Sequence, residues 1–234
     1  SVGRLARLSD ALRRHPAPRE DETPIGGGLL SGITHAFRSP YLVNISVYML
    51  LYAITSTFLY FEQAAVVARA FKDRAARTAF FAQVDLLVNA LTLVIQLFAT
   101  GPMLRVLGVA MSLAILPALS VLGFAALGLA PVVATVVAFQ VMRRTGNFAV
   151  ARPTREVLFT VVAREDKYKT KSFIDTVIYR VGDQVGAWSW GLLGVVGLGA
   201  GATAWVAVPL SVAWFANAWW LGRRQERLAG TETG

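Results

Sequence analysis

The chain has 234 residues, 55% of them hydrophobic and 16% charged, whereas soluble domains carry about a quarter charged residues, so a water-soluble fold is a poor fit. A net charge of +9 would suggest nucleic acid in a soluble protein; beside this apolar surplus it points instead to an anionic membrane face. Cysteine is absent, which excludes disulfides, thiol nucleophiles and thiolate metal sites, and both histidines, His15 and His35, lie in the polar N-terminal stretch, away from any acid–base or metal centre.

Residues 1–39 are polar and basic, and PAPREDETPIGGG within them reads as a flexible linker. With no initiator Met and no signal-peptide pattern, the chain is expected to be a piece of a longer protein. Six long apolar stretches follow, at 41–61, 80–99, 104–127, 131–151, 173–196 and 203–221. Each makes about 30 Å of helix, enough to cross a hydrocarbon core. The expected fold is therefore all-α: a polytopic six-helix bundle over 40–222, a connecting segment 152–172 between its fourth and fifth helices, and a tail 223–234. Lys and Arg set the orientation. One side collects 18 of them and the other only four, Arg69, Lys72, Arg74 and Arg77, so both termini are expected in the cytoplasm. Arg180 belongs to neither side because it falls inside the fifth span.

The spans differ in kind. The first carries Asn44, Tyr48, Thr55 and Glu62 on one stripe, with Tyr52 beside it; Glu62, at the outer rim, is expected to be solvated. The second carries Asp85, Asn89, Thr92 and Gln96 within about 60° of one face. The fourth ends in Arg143, Arg144 and Asn147. The fifth sets Lys171, Asp175, Tyr179 and Asp183 down one side, with Gly182 and Gly186 on the same strip and Arg180 at its edge. The third and sixth hold almost nothing polar, and the sixth has Trp205, Trp214, Trp219 and Trp220, suited to lipid contact. Ionisable side chains inside a span are costly against lipid and normally face protein or water. Helices one, two, four and five are thus expected to line a central path, with three and six outside. The Gly-rich run 194–202 lacks a following Lys–Ser/Thr and reads as a turn rather than a phosphate loop.

This layout resembles one half of a major facilitator superfamily transporter, whose third and sixth helices are peripheral. The family's loop between second and third helices reads G-x-x-x-D-R/K-x-G; TGPMLRVLG keeps Gly101, Arg105 and Gly108 and lacks the Asp. A narrower resemblance covers 39–61 and especially 151–188, where Arg164, Glu165, Asp166, Lys167, Lys169, Lys171 and Asp175 follow the charge pattern of the bacterial relatives of the ATP/ADP translocases, with Ser172 and Phe173 at positions that are small or basic there. The resemblance implies a C-terminal six-helix half in a bacterial inner membrane, completed by a missing N-terminal half, with ATP/ADP or another nucleotide as possible cargo.

The candidate substrate-binding and translocation residues are Arg180, Asp175, Asp183, Tyr179, Asn89, Gln96, Arg143, Arg144, Asn147, Lys167, Lys169 and Lys171, with Asp85 and Arg105 as coupling or gating candidates. Each has a plainer reading. The three lysines can meet a phosphate at the cytoplasmic mouth or touch anionic headgroups. Arg180 and Asp183, three apart, can pair within the helix or bind and release an anion. Asp85 can couple protons or sit at the interface. TREVLF, 154–159, has the spacing of a short amphipathic surface helix, which can brace two halves or simply lie on the membrane. The expected function is secondary transport of a small organic anion; the alternative is a non-transporting membrane anchor or sensor. No nucleophile–base pairing or metal-ligand cluster suggests an enzyme, no cofactor is implied, and nucleic acid is not an expected partner.

Overall fold

The structure is a computed structural model that describes residues 39–199 and 201–231; the N-terminal basic segment and its arginines lie outside them. Every regular element among the described residues is helical. Helix α1 (Pro40–Ala70) starts where the Ser39 side chain accepts from the Tyr41 N–H and Pro40 takes the first turn, a position where its missing N–H costs nothing. Helix α2 (Arg74–Phe98) is capped by Asp73, whose carboxylate accepts from the Ala76 N–H at 2.9 Å. Helix α3 (Thr100–Leu129) is broken at Gly108, whose φ of 72° and ψ of 179° suit glycine alone. The break moves the start of the long apolar helix beyond the expected residue 104.

The fourth and fifth apolar stretches are each a run of helix interrupted by a π turn. Helix α4 (Val133–Gly146) passes through Asn147–Ala151 into α5 (Arg152–Leu158), and α6 (Arg164–Phe173) passes through Ile174–Ile178 into α7 (Tyr179–Val195). Gly197 and Gly201, at φ 87° and 93°, turn the chain into α8 (Ala202–Thr231), which continues through most of the expected tail. Among the described residues, four helices are long and apolar enough to cross a membrane: α1, α2, α3 and α8. At 14 and 17 residues, α4 and α7 are too short when each is taken alone.

Helix α1 is the hub. Its first half packs Tyr41, Ile45, Tyr48 and Met49 against α3, α5 and α8, and its second half packs Ile54, Phe58 and Leu59 against α3, α4 and α8. Helix α2 reaches the bundle mainly through Val84 and Val88, which meet Val141 of α4. Half of the apolar window of α1 is buried but only 11% of that of α2, so α2 stands at an edge. Helices α3 and α8 pair closely; a Cβ on Gly222 would fall 2.1 Å from the Ala110 Cα. Both also keep an outer apolar face, with Met111, Leu122, Val212 and Phe215 exposed. They form the back wall behind α1, and Trp214, expected to meet lipid, is fully buried against Tyr48 and Tyr52.

Two acidic side chains tie helix starts across the bundle. Glu226 of α8 accepts from the Ala110 N–H at 3.0 Å, next to the Gly108 break. Glu62, expected in solvent, has no exposed surface; it accepts from the Gly201 N–H at 3.2 Å and from the Thr203 hydroxyl, capping α8 from another helix. A carboxylate is favoured there by the unsatisfied N–H groups and the positive end of the helix dipole.

Candidate functional site

Three clefts run in series along α1. The first, about 430 Å³, is bounded by Ile45 to Tyr52 of α1, the two π turns, and Arg152, Arg155, Glu156, Lys171 and Tyr179. The second, about 530 Å³, shares Tyr52, Asn147 and Phe148 with the first and adds Thr57, Gln140, Arg143, Arg144 and Asp183. The third, about 470 Å³, shares Tyr60, Gln140 and Arg144 with the second and adds Gln63, Arg77 and Asp85. Their α1 walls run from residue 45 to residue 67, about 33 Å of helix. No residue of α3 or α8 lines any of the three, which matches the order of polar and apolar stretches in the chain.

The polar groups along this path divide by the way they are satisfied. Arg143 is buried and reaches no carboxylate among the described residues. Its Nε donates to Ser120 Oγ at 3.1 Å, Nη1 to Ser56 Oγ at 3.1 Å, and Nη2 to Thr55 Oγ1 at 2.8 Å and the Tyr52 carbonyl at 3.4 Å. The guanidinium carbon also lies 5.3 Å from the Tyr52 ring centre and 5.8 Å from that of Trp214. This arginine joins α1, α3, α4 and α8. The adjacent Arg144 points a different way and pairs with Asp85 of α2. Successive helical residues are 100° apart, so the two neighbours serve different contacts.

Asn147, on the first π turn, lines both the first and second clefts, and its amide oxygen is buried with no hydrogen-bond partner. Gln96 donates to the Phe148 carbonyl at 3.0 Å and ties α2 to the same turn. Asp183 accepts from the Thr57 hydroxyl at 3.1 Å rather than from Arg180. Tyr179 stands edge-on to Tyr52, ring centres 5.8 Å apart, and Asp175 lies exposed on the wall of the first cleft. Arg180, Asn89 and Arg105 are exposed and line none of the three clefts. Of the lysines, Lys171 pairs with Glu156 at 2.8 Å and Lys169 with Glu165 at 2.5 Å; only Lys171 borders a cleft.

Arg155 is the residue the sequence reading missed. It sits on α5 inside TREVLF, half-buried, with its Nη1 against the Met49 sulfur and its guanidinium 5.8 Å from the Tyr52 ring centre. Arg152 lies 5.8 Å from the Phe148 ring centre in the same way. Among the described residues neither arginine forms an ion pair, so two guanidinium groups in the first cleft keep donors for an anion. The signal was present: Arg144, Phe148, Arg152 and Arg155 recur at helical spacing and carry the polar stripe of the fourth stretch past the expected end of its span. Both π turns border this cleft, through Asn147 and Phe148 and through Ile174 and Asp175, and α5 and α6 add Arg152, Arg155, Glu156 and Lys171 to its wall. Comparison with protein-family models, with curated proteins and with solved structures finds no match to this chain.

Proposed function

We propose that the chain is one six-helix half of a secondary transporter that moves a small organic anion by alternating access. The observation that supports it most is the series of three clefts along α1, with Arg152 and Arg155, which form no ion pair among the described residues, at one end. In this reading the two π-interrupted rods span the membrane as the fourth and fifth helices, and both chain ends face the cytoplasm of a bacterial cell. An anion enters at Arg155 and Arg152, meets the hydroxyls of Tyr179 and Tyr52, and passes toward Arg144 as the bundle rocks against a second half; the Asn147 amide oxygen, an acceptor, suits an N–H or O–H group elsewhere on the cargo. Asp85 holds Arg144 until the anion takes its place. Arg180, outside the clefts of this half, is available to the partner half. The resemblance to the major facilitator superfamily and to the relatives of the ATP/ADP translocases makes a nucleotide the first cargo to test.

The experiment is uptake of labelled ATP into proteoliposomes of the full-length protein, with ADP inside or omitted. Uptake that depends on internal ADP establishes nucleotide exchange. Arg155→Ala should then cut uptake by about tenfold or more, the size expected for losing a charge-assisted hydrogen bond, at normal expression. Uptake that is unchanged in this variant removes Arg155 from the path. A cysteine placed at Tyr179 separates transport from anchoring: the native chain has no cysteine, so labelling by a water-soluble maleimide reports a wet cleft, and a wholly protected position sinks the transport reading.

A further inference from the structure

At the end of the bundle where α1 begins and α8 ends lies a separate pocket of about 280 Å³, bounded by Ser39, Pro40 and Tyr41 on one side and Trp220, Arg223, Arg224 and Arg227 on the other. It shares no residue with the three clefts. All three arginines are exposed, and among the described residues none forms an ion pair. The nearby carboxylate of Glu226 is occupied by the Ala110 N–H. Tyr41 is held in place, its hydroxyl donating to the Leu158 carbonyl at 2.8 Å. The positive end of α1, a 31-residue helix, opens on the same space.

What leads into the pocket decides its ligand. One face of α8 reads Val212, Phe215, Trp219, Arg223 and Arg227, residues at helical spacing. Val212 and Phe215 are exposed, the Phe215 and Trp219 rings stack at 6.4 Å, and the Arg223 guanidinium lies 5.0 Å from the Trp219 ring centre. Trp220, 43% exposed, stands at the rim. The face passes from aliphatic to aromatic to cationic within four turns, the order in which a phospholipid passes from acyl chain through the interface to phosphate. A free phosphate needs the arginines and makes no use of the apolar track below them.

We propose that this pocket binds the phosphate of an anionic phospholipid whose acyl chain lies along α8. Three guanidinium groups on one phosphate favour a headgroup of net negative charge over a zwitterionic one, whose own ammonium is repelled. The site does not depend on what the chain transports.

The test is native mass spectrometry of the intact, detergent-purified protein titrated with phosphatidylglycerol or with phosphatidylcholine of the same acyl chains. Phosphatidylglycerol should be preferred by about tenfold, and R223Q/R224Q/R227Q should bring the ratio close to one, since near a membrane each cation contributes separately. Circular dichroism should show unchanged helix content, because the replaced side chains are exposed. Should the triple variant fail to fold, R224Q/R227Q leaves the Arg223–Trp219 stack in place and should still lose most of the preference. Equal binding of the two lipids, or a preference that survives in a folded variant, overturns the site. Displacement of phosphatidylglycerol by millimolar inorganic phosphate assigns the pocket to a soluble phosphate and overturns the lipid.

Discussion

Arg143 shows how an apolar interior can hold a cation without a carboxylate. Its planar fork reaches three hydroxyls and a carbonyl on two helices, α1 and α3, and two aromatic rings lie close to it. A lysine brings one ammonium on a flexible stem and cannot span those acceptors at once. Arg143→Lys should therefore cost about 2 kcal/mol or more, read as a lower thermal midpoint of the purified protein. Arg143 was expected beside the substrate; it lines the second cleft, but four of its five N–H donors are taken by the fold. Glu62 makes the complementary case. Glu62→Ala removes the acceptor for Gly201 and Thr203 at the start of α8 and should cost about 1–2 kcal/mol, the usual loss on deleting a helix cap. Glu62→Gln keeps an acceptor oxygen and should lose less in the same melt.

Among the elements, small residues set which helices touch. A Cβ on Gly182 would lie 2.6 Å from the Ala53 Cβ and 3.1 Å from the Leu50 carbonyl, and one on Gly186 would lie 2.9 Å from the Thr57 Cβ. The two glycines, one turn apart, form a small-xxx-small strip that draws α7 against α1. Gly182→Val should force the helices apart at a cost of about 1–3 kcal/mol and break the Thr57–Asp183 hydrogen bond. Both the melting point and the reactivity of a cysteine at Thr57 should report the change. The glycines and polar residues of this strip were legible in the sequence because their spacing is helical. The π turns were not, since an added residue per turn leaves no compositional mark.

Across the whole molecule, the polar path lies on the side of α1 opposite the α3–α8 wall, and α2 and α7 stand at its edges. Helix α2 keeps Leu86, Leu93, Leu97 and Phe98 exposed, and α7 keeps Val181, Trp188 and Leu192 exposed. Apolar side chains in such numbers require lipid or a partner chain. If a second half covers this side, a cysteine at Asn89 in the full-length protein should react with a water-soluble maleimide in only one of two substrate conditions. Equal reactivity with and without cargo would remove the alternating cover.

Hydrophobic length and the spacing of polar side chains determined the all-helical class, the positions of the apolar rods, and which of them carry polar stripes. Those properties are local: a stretch of apolar residues and a helical repeat can be counted along one chain. Tertiary structure decided the pairings. It separated Arg143 from Arg144, buried Glu62 and Trp214, gave Lys169 and Lys171 to glutamates, and set Arg155 in the first cleft with no ion pair among the described residues. Whether a charge is solvated, paired or held by hydroxyls depends on residues dozens of positions away, and only the packed helices bring those together.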